Sequence, residues 1–435
     1  MNVKVVTVIG ANGTMGRNVA GIFASFGEAQ VYMVCRTLEK AETAKEQAAL
    51  SVKAESIKRK LIPCTLDNLE ECVEKSDLIF DSISENMEKK LALNARITKA
   101  ARPDAVICTG SSGLSIQQLA QALRPEHRNR FMGLHLFNPP YNMTLCELTP
   151  SLDTDPLLVQ EVKNYTQSVL RRTVVQVKDA PAFLGNRIGF QFINEAMQYA
   201  ELYRDSGGID YIDAILGQYS GRSMAPLNTA NFVGLDIHKA IVNNLHQNTC
   251  DYSHDTFALP DFAQKLIENN RLGLKTGSGL YRISRRDDGS RRYEVFDLSN
   301  DTFRKVNQYS FPFKNEMIDA LRVGDYDTAR RVLVKNHSIE AKLCLEFLLK
   351  YIVYALYCAK ELGESYHDAD DVMAAGFNWA PPLSMIDFLG GTEAVNTLVQ
   401  NRLGKDFCCK AEPNTLLNNL PKSRYDFRKF FKAKR

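Results

Sequence analysis

Three glycines near the start of the chain, in "VIGANGTMGRN", have the spacing of a phosphate-binding turn. The apolar run before Gly10 predicts a buried strand, and apolar residues after Gly13 recur at helical spacing. In such a unit Gly10 permits the tight turn, Gly13 admits a pyrophosphate to the backbone, and Gly16 lets helix and strand pack closely. The phosphates bind at the helix N-terminus, where Thr14 and Met15 lie. We therefore predict a dinucleotide site; a plain turn is the alternative.

The residues after the second predicted strand, residues 30–34, bear on which dinucleotide binds. The glycine spacing is GxxGxxG rather than the commoner GxGxxG, and Cys35 occupies the place of the Asp or Glu that binds the adenosine ribose. No carboxylate is there to repel a 2′-phosphate, while Arg36 offers a bidentate donor fork and Thr37 a second donor. This pattern favours NADP(H) over NAD(H). In the alternative interpretation Arg36 is a solvated loop residue and either cofactor is used.

Length and composition are those of a folded soluble protein. The chain has 435 residues, of which 45% are hydrophobic and 24% charged, enough for two or three domains. A formal net charge of +3 gives no field that favours nucleic acid or a membrane surface. A strand is predicted almost at Met1 and no apolar run approaches ~20 residues, so we expect a cytoplasmic protein. The ten cysteines lack metal-binding spacing and are interpreted as reduced structural thiols.

Two further predicted strands, residues 78–80 and 105–109, alternate with amphipathic helices. This alternation is typical of a doubly wound parallel sheet, the α/β Rossmann-type architecture. Ligands bind at the carboxyl ends of such strands. Four polar motifs follow in the chain, "TGSSG", "GLHLFNPP", "CELTP" and "APAFLGNRIGF", and the composition after the last of them predicts an all-α C-terminal region.

Taken together, these motifs resemble the 3-hydroxyacyl-CoA dehydrogenase family, and the match covers most of the chain. Its strongest part is the His-x-Phe-Asn-Pro block with Glu147 twelve residues after His135. The resemblance implies that His135 is the general acid/base and that Glu147 orients it. Oxidation of a secondary alcohol requires removal of the hydroxyl proton as hydride leaves the same carbon, and histidine titrates near neutral pH. Without the resemblance, a lone histidine among apolar residues would more often be a core side chain.

The same resemblance implies that Ser111 and Asn186 hold the reacting oxygen as hydrogen-bond donors. The family reads Ser-Ser-Leu where this chain reads Ser-Ser-Gly-Leu, so Ser112 stays open as the alternative to Ser111. The stretch "SENMEKK" resembles the segment that contacts the nicotinamide side of the cofactor, which implies Glu85 and Lys90. In the alternative interpretation these two charges are solvated at an exposed helix start.

The second half of the chain contains a repeat. "GFNWAPPLSMIDFLGG" echoes "GRSMAPLNTANFVGLD", with the leading glycines, Gly221 and Gly376, 155 positions apart. Duplication of a helical unit explains the pair. It resembles the long members of the family, in which one chain carries two helical units, so a monomer or a homodimer is expected. The predicted domains are a dinucleotide-binding domain (1–179), a first helical domain (180–282), a hairpin and linker (283–335) and a second helical domain (336–435).

Three segments leave alternatives open. Residues 38–64 are shorter than the helical pair of the family's acyl-CoA clamp, so a β-hydroxyacid or sugar acid is the alternative to a CoA ester. Within that stretch Lys53, Lys58, Arg59 and Lys60 either bind CoA phosphates or form a solvated helix face. Residues 283–335 are expected to hold a hairpin turning at Asp288-Gly289 and one short helix, 314–323. The basic tail, residues 428–435, is interpreted as a solvated end, with a phosphate contact as the alternative.

A hypothesis of another class is a cofactor-binding protein without turnover. The combination of Ser111, His135, Glu147 and Asn186 disfavours it, because packing does not require these four residue types at strand ends. An acyl-CoA substrate with NADP or NAD as the cofactor, and neither nucleic acid nor membrane as a partner, is therefore the expectation.

Overall fold

The computed structural model describes residues 1–285 and 291–433, and the chain divides into two compact units. The first unit comprises Met1–Phe183 and Leu362–Glu364, and the second holds the rest of the chain. The predicted hairpin turn at Asp288-Gly289 lies outside the described residues.

The described part of the first unit contains one sheet of eight strands, with the order β3-β2-β1-β4-β5-β6-β7-β8. All neighbouring strands are parallel except β6 and β7, which are antiparallel. This confirms the predicted doubly wound sheet. The strands are β1 (Val5–Ile9), β2 (Gln30–Cys35), β3 (Leu61–Thr65), β4 (Leu78–Asp81), β5 (Val106–Thr109), β6 (Phe131–Leu136), β7 (Leu145–Pro150) and β8 (Thr173–Gln176).

Helices flank this sheet, and the helices and the strands contribute side chains to one apolar core. The central strand β1 buries Val6 and Val8 completely, and the helix after it buries Val19 and Phe23 against the sheet. Strand β3 was missing from the sequence-based expectation because it is an edge strand that contains a proline, Pro63, which argues against a strand. The helices are α1 (Thr14–Ser25), α2 (Leu38–Val52), α3 (Leu69–Glu74), α4 (Met87–Ala100), α5 (Ile116–Gln121), α6 (Pro125–Arg128) and α7 (Pro156–Ser168).

The second unit is predominantly helical, as predicted. Among the described residues of the whole chain, no helix combines the length and the apolar character that crossing a bilayer demands. The elements are α8 (Gly185–Leu202), α9 (Ile209–Ile215), α10 (Pro226–Val233), α11 (Leu235–Asn248), α12 (Asp261–Glu268), β9 (Tyr281–Arg285), β10 (Arg291–Asp297), β11 (Thr302–Lys305), α13 (Pro312–Arg322), α14 (Tyr326–Lys335), α15 (Ile339–Leu362), α16 (Tyr366–Phe377), α17 (Pro382–Phe388), α18 (Thr392–Arg402), α19 (Gly404–Ala411) and α20 (Pro413–Leu416).

The segment expected to be a hairpin and a linker is more ordered than the sequence indicated. Strands β9 and β10 pair antiparallel as expected, but β11 adds a third strand to them. The single predicted helix is α13, and α14 follows it unpredicted. Its buried face is narrow, Ala329 and Leu333, so few apolar residues mark it in the sequence. The Asp325 side chain caps its start by accepting from the Thr328 N–H at 3.0 Å.

The two repeats share one arrangement of buried carboxylates. Asp213 on α9 accepts a hydrogen bond from the Leu227 N–H in the first turn of α10, and Asp370 on α16 accepts one from the Leu383 N–H in the first turn of α17, both at 2.8 Å. Both helices that receive this cap begin with proline. The repeats also contact each other directly, because the Ala380 N–H donates to the Gly221 carbonyl at 2.7 Å.

We expect Asp370 to make the stability of the second unit pH-dependent. Burial raises the pKa of this carboxyl from 3.8 to about 7. The folded chain therefore retains a proton that the unfolded chain releases, and stability falls as pH rises from about 4 to about 7, by at most ~1.4 kcal/mol per pH unit. Asp370→Asn should make the free energy of unfolding, measured by urea denaturation, depend less steeply on pH between these values, while Asp213, whose pKa burial also raises to about 7, keeps its own contribution. Asp319→Asn, at a carboxylate that is 70% exposed, should keep the wild-type slope.

Candidate active site

His135 and Glu147 form a cross-strand pair in the first unit. They are direct register partners on the antiparallel strands β6 and β7, so their side chains emerge on the same face of the sheet. The His135 Nδ1 lies 2.8 Å from the Glu147 Oε2. Glu147 is fully buried and His135 is 7% exposed. A carboxylate accepts hydrogen bonds, so this contact suits the tautomer that carries its proton on Nδ1 and has the lone pair on Nε2.

Aromatic rings hold the imidazole of His135 in place. The ring centroid of Phe137 lies 4.6 Å from that of His135, and the centroid of Phe183 lies 5.9 Å from it. Both phenylalanines are buried. These contacts and the Glu147 hydrogen bond restrict the imidazole from three sides, so the orientation of the ring is set before any ligand binds.

The loop after β5 closes around the carboxylate of Glu85. One oxygen of this carboxylate, Oε1, accepts from the Ser111 hydroxyl at 2.6 Å and from the backbone N–H groups of Ser112, Gly113 and Leu114 at 3.0, 3.1 and 3.3 Å. The Ser111 hydroxyl also accepts from the Leu114 N–H at 3.1 Å. Ser111 is fully buried, whereas the Ser112 hydroxyl is 3.5 Å from the same oxygen of Glu85. The structure thus brings the predicted residues Glu85 and Ser111 into direct contact.

Lys90, predicted to contact the cofactor, is buried in an ion pair. Its Nζ lies 2.6 Å from Asp81 Oδ2, and the two side chains are 1% and 2% exposed. Asp81 ends β4, and it also accepts from the Thr109 hydroxyl at 3.0 Å and the Ile83 N–H at 2.9 Å. It therefore ties the ends of β4 and β5 together. Sequence reasoning missed Asp81; its place at the end of a buried strand was the available signal.

A second carboxylate that sequence reasoning missed is Asp179. It accepts from the Ser115 hydroxyl and from the N–H groups of Ile116 and Gln117, each at 2.9 Å. These groups lie at the start of helix α5. This helix follows the loop that contains Ser111 and binds the Glu85 carboxylate. The signal is weak, because the capping residue lies 63 positions from the Ile116 N–H that it caps.

The glycine turn has the geometry that the sequence predicted. Gly10 has a positive φ of 78°, and a Cβ there would lie 2.7 Å from the Ser82 carbonyl oxygen. A Cβ at Gly16 would collide with the Gly10 carbonyl oxygen, and Gly13 is the N-cap of α1 without a side-chain cap. The first turn of α1, which holds Thr14 and Met15, therefore presents backbone N–H groups that suit a pyrophosphate.

The residues at the end of β2 differ in exposure. Strand β2 extends to Cys35, whose side chain is buried, and burial raises the pKa of its thiol. Arg36 is exposed, and among the described residues it has no ion pair or hydrogen bond assigned to it. The Thr37 hydroxyl accepts from the Lys40 N–H at 3.4 Å and is the N-cap of α2. Arg36 is therefore free to bind a ligand, while Thr37 also has a local structural role.

Asn186, the fourth predicted catalytic residue, belongs to the second unit. It lies in the first turn of α8, which begins at Gly185, and its side chain is buried. Its predicted role stays a prediction.

Two family models match the chain in succession. The model described as 3-hydroxyacyl-CoA dehydrogenase, NAD binding domain, matches residues 5–180, and the model described as 3-hydroxyacyl-CoA dehydrogenase, C-terminal domain, matches residues 183–283. The chain therefore belongs to the 3-hydroxyacyl-CoA dehydrogenase family, whose first domain binds a nicotinamide dinucleotide.

Individual relatives agree with this assignment. The chain is 30% identical to a 3-hydroxybutyryl-CoA dehydrogenase of Bradyrhizobium diazoefficiens over 64% of this chain and 95% of the relative. It is 25% identical to a probable 3-hydroxyacyl-CoA dehydrogenase of Bacillus subtilis over 80% of this chain, and the match spans only 43% of that longer relative. The crystal structure of 3-hydroxybutyryl-CoA dehydrogenase from Escherichia coli K12 shares the fold, with a TM-score of 0.69, 22% identity, and coverage of 96% of this chain and 98% of the other.

Because Lys90 is buried against Asp81, a substitution can distinguish a structural role of Lys90 from a role in cofactor binding. We expect Lys90→Met to lower the free energy of unfolding by ~3 kcal/mol, because it leaves the Asp81 carboxylate buried without a partner. Lys89→Met, at the exposed neighbour on α4, should change it by less than ~0.5 kcal/mol. Both values come from urea denaturation. A Lys90→Met protein with wild-type stability but weakened dinucleotide binding would instead support the predicted cofactor contact.

Proposed function

We propose that the protein catalyses reversible hydride transfer between a nicotinamide dinucleotide and the 3-hydroxy or 3-keto group of an acyl-CoA. The observation that carries this proposal is the buried His135–Glu147 pair, at 2.8 Å, in a chain of the 3-hydroxyacyl-CoA dehydrogenase family. The name of the Bradyrhizobium relative, a 3-hydroxybutyryl-CoA dehydrogenase, supports a short 3-hydroxyacyl-CoA as a test substrate.

In the proposed mechanism His135 is the general acid/base. Its Nε2 takes the proton of the 3-hydroxyl in the oxidative direction and returns it in the reductive direction. Glu147 accepts the Nδ1–H throughout, fixes the tautomer and stabilises the imidazolium that forms. A nicotinamide dinucleotide, when bound, supplies the hydride acceptor or donor. The tilted rings of Phe137 and Phe183 pack against the imidazole, and His135 is 7% exposed, so little of the residue meets solvent.

Ser111 and Asn186 are the proposed donors to the reacting oxygen. The Ser111 hydroxyl has one proton, and Glu85 accepts it at 2.6 Å. For Ser111 to donate to a substrate oxygen, its hydroxyl must turn away from Glu85. The three backbone N–H groups of residues 112–114 continue to hold the Glu85 carboxylate when it does so. Glu85 is thus proposed as a positioning residue for Ser111.

The dyad proposal is tested by substitution and rate measurement. We expect His135→Gln and Glu147→Gln each to lower kcat for acetoacetyl-CoA reduction by ~10²–10⁴-fold, the usual contribution of general acid/base catalysis. His337→Gln, at an exposed histidine of the second unit, is the matched control and should keep the wild-type rate. An unchanged rate in His135→Gln would exclude the mechanism.

For the cofactor, we propose a preference for NADP(H) because Arg36 is exposed and position 35 lacks a carboxylate. Arg36→Ala should raise KM for NADPH by about tenfold or more, since charge-assisted hydrogen bonds to the 2′-phosphate are lost. KM for NADH, which lacks this phosphate, should change little and is the internal control. If wild-type protein oxidises NADH faster than NADPH, the proposed enzyme activity is retained. The proposed role of Arg36 in binding the 2′-phosphate is then wrong.

A second candidate substrate class is a β-hydroxyacid that carries no CoA. It is favoured by the short segment between β2 and β3, where α2 is followed by a single 3-10 turn, Glu55–Arg59. Lys58 in this turn is already paired with Glu46 and Glu55, at 2.5 and 2.7 Å, which leaves it less available to CoA phosphates. Free 3-hydroxy acids with higher kcat/KM than CoA esters would support this candidate.

A further inference from the structure

The basic tail of the chain is anchored by one aromatic ring, while its described basic side chains are exposed, as the interpretation of a solvated end requires. Phe431 is 2% exposed and stacks on Phe388, with ring centroids 4.0 Å apart. It also covers Gly221, where a Cβ would lie 3.1 Å from its ring. The lysines on either side, Lys429 and Lys432, are thereby held at fixed places on the second unit although their side chains are exposed.

These two lysines line a cavity of about 90 Å³ in the second unit. Among the described residues that line it there is no Asp or Glu. The lining contains three cationic side chains and three neutral polar ones: Arg222, Lys429 and Lys432, with Gln218, Ser223 and Asn378.

Arg222 is the buried cation of this cavity. It is 2% exposed, and its Nη1 donates to the Ser220 carbonyl at 3.2 Å, but Nε and Nη2 are buried without a hydrogen-bond partner in the described structure. Burial lowers the pKa of its guanidinium to about 10, so the group stays charged at neutral pH. A buried charge of this kind ordinarily has an anionic partner. None of the ion pairs in the described residues includes Arg222.

Aromatic rings compensate only part of this charge. The guanidinium carbon lies 3.8 Å from the ring centroid of Phe192, 4.9 Å from that of Trp379 and 5.3 Å from that of Tyr351. Cation–π contacts stabilise a cation, but the faces of rings offer no lone pairs to the N–H groups at the guanidinium edge. The guanidinium edge therefore keeps two nitrogens that an oxyanion would satisfy.

We propose that this cavity binds one phosphate-type oxyanion, either inorganic phosphate or the terminal phosphate of a larger ligand. Arg222 provides the planar donor fork, and Lys429 and Lys432 add charge at the opening. A cavity of this volume suits one phosphate group and is too small to enclose a whole dinucleotide or acyl-CoA.

The bound anion connects three parts of the second unit. Arg222 belongs to the first helical repeat, Asn378 to the second, and the two lysines to the tail. The repeats already meet beside the cavity, since Arg222 and Trp379 form an antiparallel bridge. The proposed site shares no residue with the proposed catalytic or cofactor set, and its binding is measurable without turnover.

The test is isothermal titration of the full-length protein with inorganic phosphate in a phosphate-free buffer at constant ionic strength. Wild-type protein should bind one phosphate per chain. The double variant K429A/K432A should bind about tenfold more weakly, because two charged donors are lost. The matched control K335A/K342A removes the same charge from two exposed lysines of the second unit and should bind as wild type.

A second variant tests the buried fork. Arg222→Lys keeps the charge but loses the bidentate geometry, and it should also weaken phosphate binding while circular dichroism reports the wild-type helix content. Absence of saturable binding by wild-type protein would overturn the proposal. So would equal affinities of wild type and K429A/K432A, or an equal loss in K429A/K432A and K335A/K342A.

Competition identifies the source of the phosphate. If coenzyme A displaces bound phosphate from the wild-type protein and dephospho-coenzyme A does not, the 3′-phosphate of coenzyme A is the natural occupant. If neither displaces it, the site takes free phosphate. Both results support the anion site, and neither depends on whether the protein turns over acetoacetyl-CoA.

Discussion

The geometry of the proposed catalytic pair depends on one reversal of strand direction. Six strands of the sheet, β1 to β6, run in one direction, and β7 and β8 run in the opposite direction, so that β7 pairs antiparallel with β6. In an antiparallel pair, directly opposed residues present their side chains to the same face. This places His135 against Glu147 although twelve positions separate them. Glu147 is fully buried, and the His135 imidazole is a hydrogen-bond partner for its carboxylate, as burial of a charged group requires. The same hydrogen bond orients the imidazole.

Carboxylates also organise the loops at the ends of β4 and β5 and the start of α5, although only that of Asp81 is fully buried. Asp81 joins the ends of β4 and β5, Glu85 gathers three backbone N–H groups and the Ser111 hydroxyl, and Asp179 starts α5. Each of these acidic groups accepts from several donors, and for Asp81 this is the condition under which a buried charge is tolerated. The result is a set of loops whose backbone donors are held in place by acidic side chains of the same unit.

In the second unit the two helical repeats meet at a close backbone approach. Gly221 has a positive φ of 87°, and its carbonyl accepts from the Ala380 N–H at 2.7 Å. A Cβ at this position would lie 2.8 Å from the Ala380 Cβ, which explains why the first repeat carries glycine where it touches the second. Asp213 and Asp370 cap equivalent helices on the two sides. Each copy of the sequence repeat therefore contains a buried carboxylate that caps a helix beginning with proline.

The sequence alone determined the features that depend on local backbone preference and residue type. The glycine turn, the alternation of strands and helices, the helical second half and the types of residue suited to proton transfer were all readable because neighbours in the chain decide them. The tertiary structure decided the register that sets His135 opposite Glu147, the burial of Lys90 against Asp81, and the anchoring of the tail by Phe431. These depend on contacts between residues far apart in the chain, and the free energy of burying a charge or a ring cannot be assigned until the surface that covers it is known.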